Sequence, residues 1–126
     1  MSEILDAGGL ISLGSGDRRT WRRLKGALRA ADPPRTHGGV VAQVWRGGTG
    51  RQARLAGALQ AVEIVPLDAE LGRRAGMLLA RSGLSDAIGA ALVALADHGD
   101  LIVTSDPGDL ALLAAASNRR IDVVPA

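Results

Sequence analysis

The sequence has 126 residues, a length that suits one compact domain spanning 1–126. Hydrophobic residues make up 47%, too many for a disordered chain, yet Phe and Tyr are absent and Trp21 and Trp45 are the only aromatics, so a base-stacking platform for single-stranded nucleic acid is excluded. Cysteine is also absent, which removes disulfides, thiolate zinc sites and thiol catalysis, and the net charge is only +2.

That small net charge hides an uneven distribution. Residues 1–60 hold 10 Lys and Arg against 4 Asp and Glu, a net of +6, whereas residues 61–126 hold 5 against 9, a net of −4. Such asymmetry predicts a basic face for a polyanion beside an acidic feature. No apolar run approaches the ~18 residues of a membrane span, and no basic segment precedes an apolar run at the N-terminus. The expectation is a cytoplasmic protein with no membrane contact.

Ile4-Leu5 is a short apolar run that stops at Asp6-Ala7-Gly8-Gly9, which predicts a buried strand ending in a turn. A short helix is expected to begin near Leu10. Asp17 is placed to cap a helix running to about Ala31, with Trp21, Leu24 and Leu28 at helical spacing and arginines on the other faces. Asp32-Pro33-Pro34 ends it. Val41 and Trp45 lie one turn apart and predict a further helical face before Gly47-Gly48. Arg51 to Ala61 reads as helix.

Val62 to Pro66 is β-branched and alternating, which predicts a strand. Asp68 should cap a helix to about Arg81, with Leu71, Ala75, Leu78 and Leu79 inward and Gly83 after its end. Ser85 should cap a helix from Asp86 to His98 that is apolar on almost every side and therefore buried. Leu101–Thr104 reads as strand, Asp106–Ser117 as helix and Ile121–Val124 as a last strand. Short buried strands alternating with helices predict an α/β sandwich around a parallel sheet of four to five strands.

Parallel sheets of this kind bind ligands beyond the carboxyl ends of their strands. Asp6 and Asp106 each follow a predicted strand, Asp109 comes one helical turn after Asp106, and Asp86 opens the buried helix. Converging carboxylates raise one another's pKa unless a cation compensates. Oxygen-only donors favour Mg²⁺ or Mn²⁺ over Zn²⁺. Each acid taken singly reads better as a helix cap: Asp106-Pro107-Gly108-Asp109 is a strong helix start, and Asp86 is a favourable first-turn acid. The residues alone leave both readings open.

Three motifs together resemble the PIN-domain family, and within it the VapC-like toxins of toxin–antitoxin pairs. They are Ile4-Leu5-Asp6-Ala7-Gly8-Gly9-Leu10-Ile11, Ser85-Asp86-Ala87-Ile88-Gly89-Ala90-Ala91 and Val103-Thr104-Ser105-Asp106-Pro107-Gly108-Asp109-Leu110. The resemblance covers essentially the whole chain. It implies a PIN-like α/β/α sandwich and a ribonuclease that cuts RNA with Mg²⁺ or Mn²⁺ at Asp6, Asp86, Asp106 and Asp109. It also implies a homodimer and inhibition by a cognate VapB-like antitoxin.

The sequence departs from the family pattern at two places. Gln43, in Val40-Val41-Ala42-Gln43-Val44, stands where the family usually has an acid, and Gly89 stands where many relatives have another. Gln43 keeps a carbonyl donor but no charge, so the alternative is a catalytically weakened RNA- or protein-binding module. Gln43, Thr104 and Ser105 are candidates for positioning water or substrate. Arg46 and Arg51 follow the Gln43 segment and are candidates for RNA phosphate contacts. His37, expected in a loop, and His98, expected at a helix C-terminus, lack metal-ligand spacing. Trp21 and Trp45 are expected to pack in the core. Gly8-Gly9 lacks the dinucleotide-binding pattern, and no serine has a nearby His–acid pair.

Overall fold

A computed structural model describes residues 1–48, 50 and 52–125. Among the described residues, five short strands form one parallel sheet: β1 (Glu3–Leu5), β2 (Arg35–His37), β3 (Glu63–Val65), β4 (Leu101–Thr104) and β5 (Asp122–Pro125). Seven helices flank it: α1 (Ala7–Ser15), α2 (Arg18–Arg29), α3 (Gly38–Val44), α4 (Ala53–Ala61), α5 (Ala69–Ser82), α6 (Ala87–Leu95) and α7 (Pro107–Ala116).

The sheet order is β3-β2-β1-β4-β5. The chain leaves β1 in one direction through β2 to β3, then crosses back to β4 on the other side of β1. The direction therefore reverses between β1 and β4, and parallel crossovers of opposite direction place their helices on opposite faces. In keeping with this, α1 packs on α3 and α4, whereas α5, α6 and α7 pack on one another. The core between these layers is aliphatic: Ile4, Leu10, Leu13, Val40, Ile102 and Leu113 are fully buried. The register pairs Ile4 with Ile102 and Leu5 with Val103, which brings the residues that follow β1 and β4 side by side.

Most elements follow their sequence signals. Asp17 accepts a hydrogen bond from the backbone N–H of Thr20, and Asp68 from that of Leu71, so both act as N-caps. Gly83 closes α5 with φ 74°, a left-handed conformation that glycine adopts without a steric penalty. The strand β2 is a departure from the sequence reading. Arg35-Thr36-His37 is short and polar, so no alternating apolar pattern announces it. It is held in the sheet by pairing with both β1 and β3 and by Thr36 Oγ1 donating to Leu5 O at 2.8 Å.

Several boundaries and faces also differ. Helix α1 begins at Ala7, directly after Asp6, so Gly8 and Gly9 are helical rather than a turn. Asp86, not Ser85, is the N-cap of α6. That helix ends at Leu95 because Ala96 is extended and Asp97–Asp100 forms a turn in which Asp100 Oδ2 accepts from Asp97 N at 2.8 Å. His98 consequently lies in a turn, where its Nδ1 accepts from Arg120 N. Helix α3 buries Val40 and Val44 instead of Val41 and Trp45, and Trp45 is exposed. In α2, Leu24 is buried but Leu28 is exposed. Among the described residues, no single helix is long and apolar enough to cross a membrane.

Candidate functional site

The reversal point of an open parallel sheet leaves a crevice beyond its carboxyl edge. Here that crevice is a cavity of about 180 Å³. Its polar lining is Asp6, Gln43, Asp86, Thr104, Asp106 and Asp109, and Ile88, Leu92 and Leu110 supply apolar wall. All four expected acids and Gln43 thus face one cavity. Each arrives on a different part of the fold. Asp6 ends β1, Gln43 lies on α3, Asp86 caps α6, and Asp106 and Asp109 flank the start of α7.

The acids differ in what else they do. Asp6 is engaged at both oxygens: Oδ1 accepts from Gly9 N at 2.9 Å, and Oδ2 accepts from Thr104 Oγ1 at 2.5 Å, which leaves each a further lone pair. Thr104 is buried and also accepts from Asp106 N at 3.0 Å, so its hydroxyl braces the ends of β1 and β4 against each other. Asp86 uses Oδ1 on Gly89 N at 2.9 Å and keeps Oδ2 free of that cap. Asp106 occupies the N-cap position of α7, but its side chain makes no capping hydrogen bond, and Pro107 at the first turn removes one donor that would need a cap. The cap that the sequence predicts at Asp106 is therefore positional only.

Gly89 matters to this arrangement. A Cβ there would collide with the Asp86 carboxylate and come within 3.4 Å of Leu110 Cδ2. The glycine thus leaves room for the rotamer in which Asp86 Oδ2 lies against the first turn of α6.

A divalent cation fits the donors in kind. They are carboxylate and amide oxygens, which suit a hard ion, and Asp106, Asp109 and the second oxygen of Asp86 are not used in capping. In spacing the set is open: among the described residues, no three His, Cys, Asp or Glu side chains come close enough together to hold one ion.

The other expected residues are placed as follows. Ser105 is exposed beside the cavity, with its Oγ 3.4 Å from where a Cβ on Gly8 would lie, and it is outside the lining. Arg46 folds back on its own helix, donating from Nη1 to Ala42 O at 3.0 Å and Trp45 O at 2.7 Å, and does not line the cavity. Arg51 lies outside the described residues.

One neighbour of the site escapes the sequence reading. His37 lies on β2, fully buried, not in a loop. Its Nδ1 accepts from Gly39 N at 3.0 Å and its Nε2 lies 3.0 Å from Ile88 O, so a neutral ring with the proton on Nε2 satisfies both. Burial pushes its pKa below 6.5, and the Ile88 carbonyl opposes that shift. The ring pins the first turn of α6 to the start of α3, the two helices that carry Asp86 and Gln43. Only the Pro-Pro that precedes a β-branched Thr36 hints at a strand here.

Comparison with family models finds no match, and comparison with curated proteins finds none. Among solved structures, a chain of VapBC2 from Rickettsia felis, crystallised bound to a DNA fragment from their promoter, is similar to this one. The TM-score is 0.69 over 98% of both chains, at 15% sequence identity. At that identity the likeness is one of fold. With the five-stranded parallel sheet and its flanking helices, it makes the architecture of this chain PIN-like.

Proposed function

We propose that the chain is a Mg²⁺- or Mn²⁺-dependent endoribonuclease of the VapC-like toxin type. The observation that carries this reading is the behaviour of Asp106. It stands at a helix start, faces a cavity with Asp6, Asp86, Asp109 and Gln43, and does no capping. A carboxylate with no local structural role, among others of like charge, is better explained by a cation and its substrate than by fold stability.

In this reading Asp6, Asp86, Asp106 and Asp109 would hold the ion once the exposed pair, Asp106 and Asp109, closes in. An ion held there would offset their charge and would supply electrostatic stabilisation to a phosphodiester under attack by water. Asp6 is fixed by Gly9 N and Thr104 Oγ1, so it gives the site a rigid side. Asp106 and Asp109 are exposed and have freedom to close on a ligand. Gln43 offers an amide to orient water or a phosphate oxygen. Arg46 and Arg51 are assigned to the RNA backbone, Arg46 after its guanidinium swings off the carbonyls it now holds. A VapB-like antitoxin completes the proposal and is supported by the fold likeness to a VapBC2 chain, and a homodimeric state is what the family resemblance implies.

The test compares wild type with Asp106→Asn on structured RNA, with Mn²⁺ and with chelator. The expected result is a loss of at least about a hundredfold in the variant and full loss on chelation. Cleavage that survives either change sinks the proposal.

Gln43 favours a second reading, in which the domain binds RNA or a protein partner and cuts poorly. It faces the cavity where the family pattern has an acid, so the site lacks one negative charge. If Gln43→Glu creates Mn²⁺-dependent cleavage that wild type lacks, the second reading replaces the first.

A further inference from the structure

The far end of α6 carries an unusual concentration of positive charge. A cavity of about 380 Å³ lies between α5, the end of α6 and the turn after α7. Arg74, Arg81 and Arg119 line it, with Met77, Leu78 and Ser117. Arg74 and Arg81 are seven residues apart on α5, two turns along one face. Arg119 reaches in from the turn that follows α7.

Part of this cluster has a structural purpose. Arg119 donates to the carbonyls of Val93, Ala94 and Ala96, and Arg81 Nη1 donates to Ala116 O at 3.1 Å. These arginines satisfy the open carbonyl ends of α6 and α7. Arg74 is a second donor to the same helix end. Its Nη2 donates to Ala94 O, which already accepts from Arg119. Two guanidiniums therefore share one carbonyl, and their mutual repulsion joins burial in pushing the Arg119 pKa down.

The guanidiniums of this cluster lack ion-pair partners. Each helix C-terminus supplies roughly half a negative charge, about one in all, against three guanidiniums. Asp97 and Asp100 attract Arg119, but both are shared with Arg35, at 3.2 and 3.9 Å. Glu63 pairs with Arg35 as well, at 3.7 Å, and among the described residues no ion pair joins a carboxylate to Arg74, Arg81 or Arg119. A guanidinium has five N–H donors. Among the described residues, Arg74 and Arg81 each spend one on protein oxygen.

From this we infer that the arginine-lined cavity binds a phosphomonoester. Such a group has three terminal oxygens and up to two charges, which suits three guanidiniums better than the single charge of a phosphodiester. Met77 and Leu78 give the group that carries the phosphate an apolar wall, and the volume is at the low end of those that hold small ligands. The phosphate comes from a small nucleotide or from the 5′ end of an RNA chain.

The experiment uses the full chain with chelator present throughout, so that cleavage plays no part. Calorimetry at fixed ionic strength is run with inorganic phosphate, AMP and adenosine. Phosphate and AMP should bind and adenosine should not. Arg81→Gln should weaken AMP about tenfold, and Arg74→Gln should do likewise. A pair of RNA oligomers with 5′-phosphate and 5′-hydroxyl then separates the sources. Tighter binding of the phosphorylated oligomer assigns the site to RNA ends, and equal binding assigns it to small phosphomonoesters. Adenosine binding as well as AMP, no binding of phosphate or AMP, or unchanged affinity in Arg81→Gln overturns the inference. Asp106→Asn should bind AMP as wild type does, which keeps this outcome separate from that of the acidic cavity.

Discussion

Helix α6 ends in two different ways. At its N-terminus stands a carboxylate, Asp86, and at its C-terminus stand two guanidiniums, those of Arg74 and Arg119. Both placements agree with the helix dipole, which favours negative charge at the first turn and positive charge at the last. The difference lies in what the charged groups have left over. Arg119 spends its donors on three backbone carbonyls, whereas Asp86 spends one oxygen on Gly89 N and keeps the other. The C-terminal end is therefore mainly structural, with Arg74 and Arg81 holding the spare capacity. The N-terminal end holds its spare capacity in the acids. Charge at a helix end is ambiguous by itself, and unused hydrogen-bonding capacity separates a cap from a site.

Removing each end's key group should expose this contrast. Arg119→Met removes three charged hydrogen bonds and leaves the Ala96 carbonyl without a donor, while Val93 O keeps Ala96 N and Ala94 O keeps Arg74. Loss of charged hydrogen bonds to buried acceptors should cost about 2–3 kcal/mol, read by urea unfolding. A loss under about 0.5 kcal/mol would show that water replaces the guanidinium freely. A smaller effect is expected among the acids. Asp6→Ala removes the cap of α1 and the partner of Thr104, and should cost about 1–2 kcal/mol. Asp106→Ala should change stability by less than about 0.5 kcal/mol, because no capping bond is lost. Equal costs for the two would remove the distinction between them.

The same contrast governs what the sequence could reveal. The alternation of strands and helices, the parallel sheet and the four aspartates were legible because apolar runs stop at Asp, Gly and Pro. The aspartates could be located but not ranked. A cap and a ligand are the same residue in the same place, and only the hydrogen bonds of Asp6 and the lack of one at Asp106 tell them apart. Strand β2 was illegible because its stability comes from pairing on both sides, not from an apolar pattern of its own. With β2 unread, His37 looked like a loop residue. Trp45 illustrates the opposite error. Its spacing to Val41 fits a helical face, but the seven-residue α3 presents Val40 and Val44 to the core instead.

His37 gives a way to loosen the N-terminal end alone. Its pKa is lowered from 6.5 in the folded chain, mainly by burial. Above pH 6.5 the ring is neutral in both folded and unfolded states, and its hydrogen bonds contribute in full. As pH falls below 6.5 the unfolded chain takes up a proton that the folded chain resists, so stability declines. The unfolding midpoint should therefore drop between pH 7 and pH 5.5, and His37→Asn should flatten that part of the profile. An unchanged slope in the variant would assign the pH dependence to other groups.

The smallest change in stability is expected at Gly89, and it bears on the acidic cavity most directly. Alanine in a helix interior is usually more stable than glycine by about 0.5–1 kcal/mol. Here the new methyl would meet the carboxylate of Asp86, which is the end of a mobile side chain and can rotate aside. Losing the bond to Gly89 N offsets much of the helical gain, so Gly89→Ala should unfold within about 0.5 kcal/mol of wild type. The Asp86 carboxylate, however, can no longer keep its present rotamer. Mn²⁺ affinity by calorimetry should therefore fall while stability holds, and AMP binding at the far end of α6 should stay as it is. Unchanged Mn²⁺ affinity would mean that the folded-over position of Asp86 serves only as a cap, and the two ends of α6 would then differ in charge but not in kind.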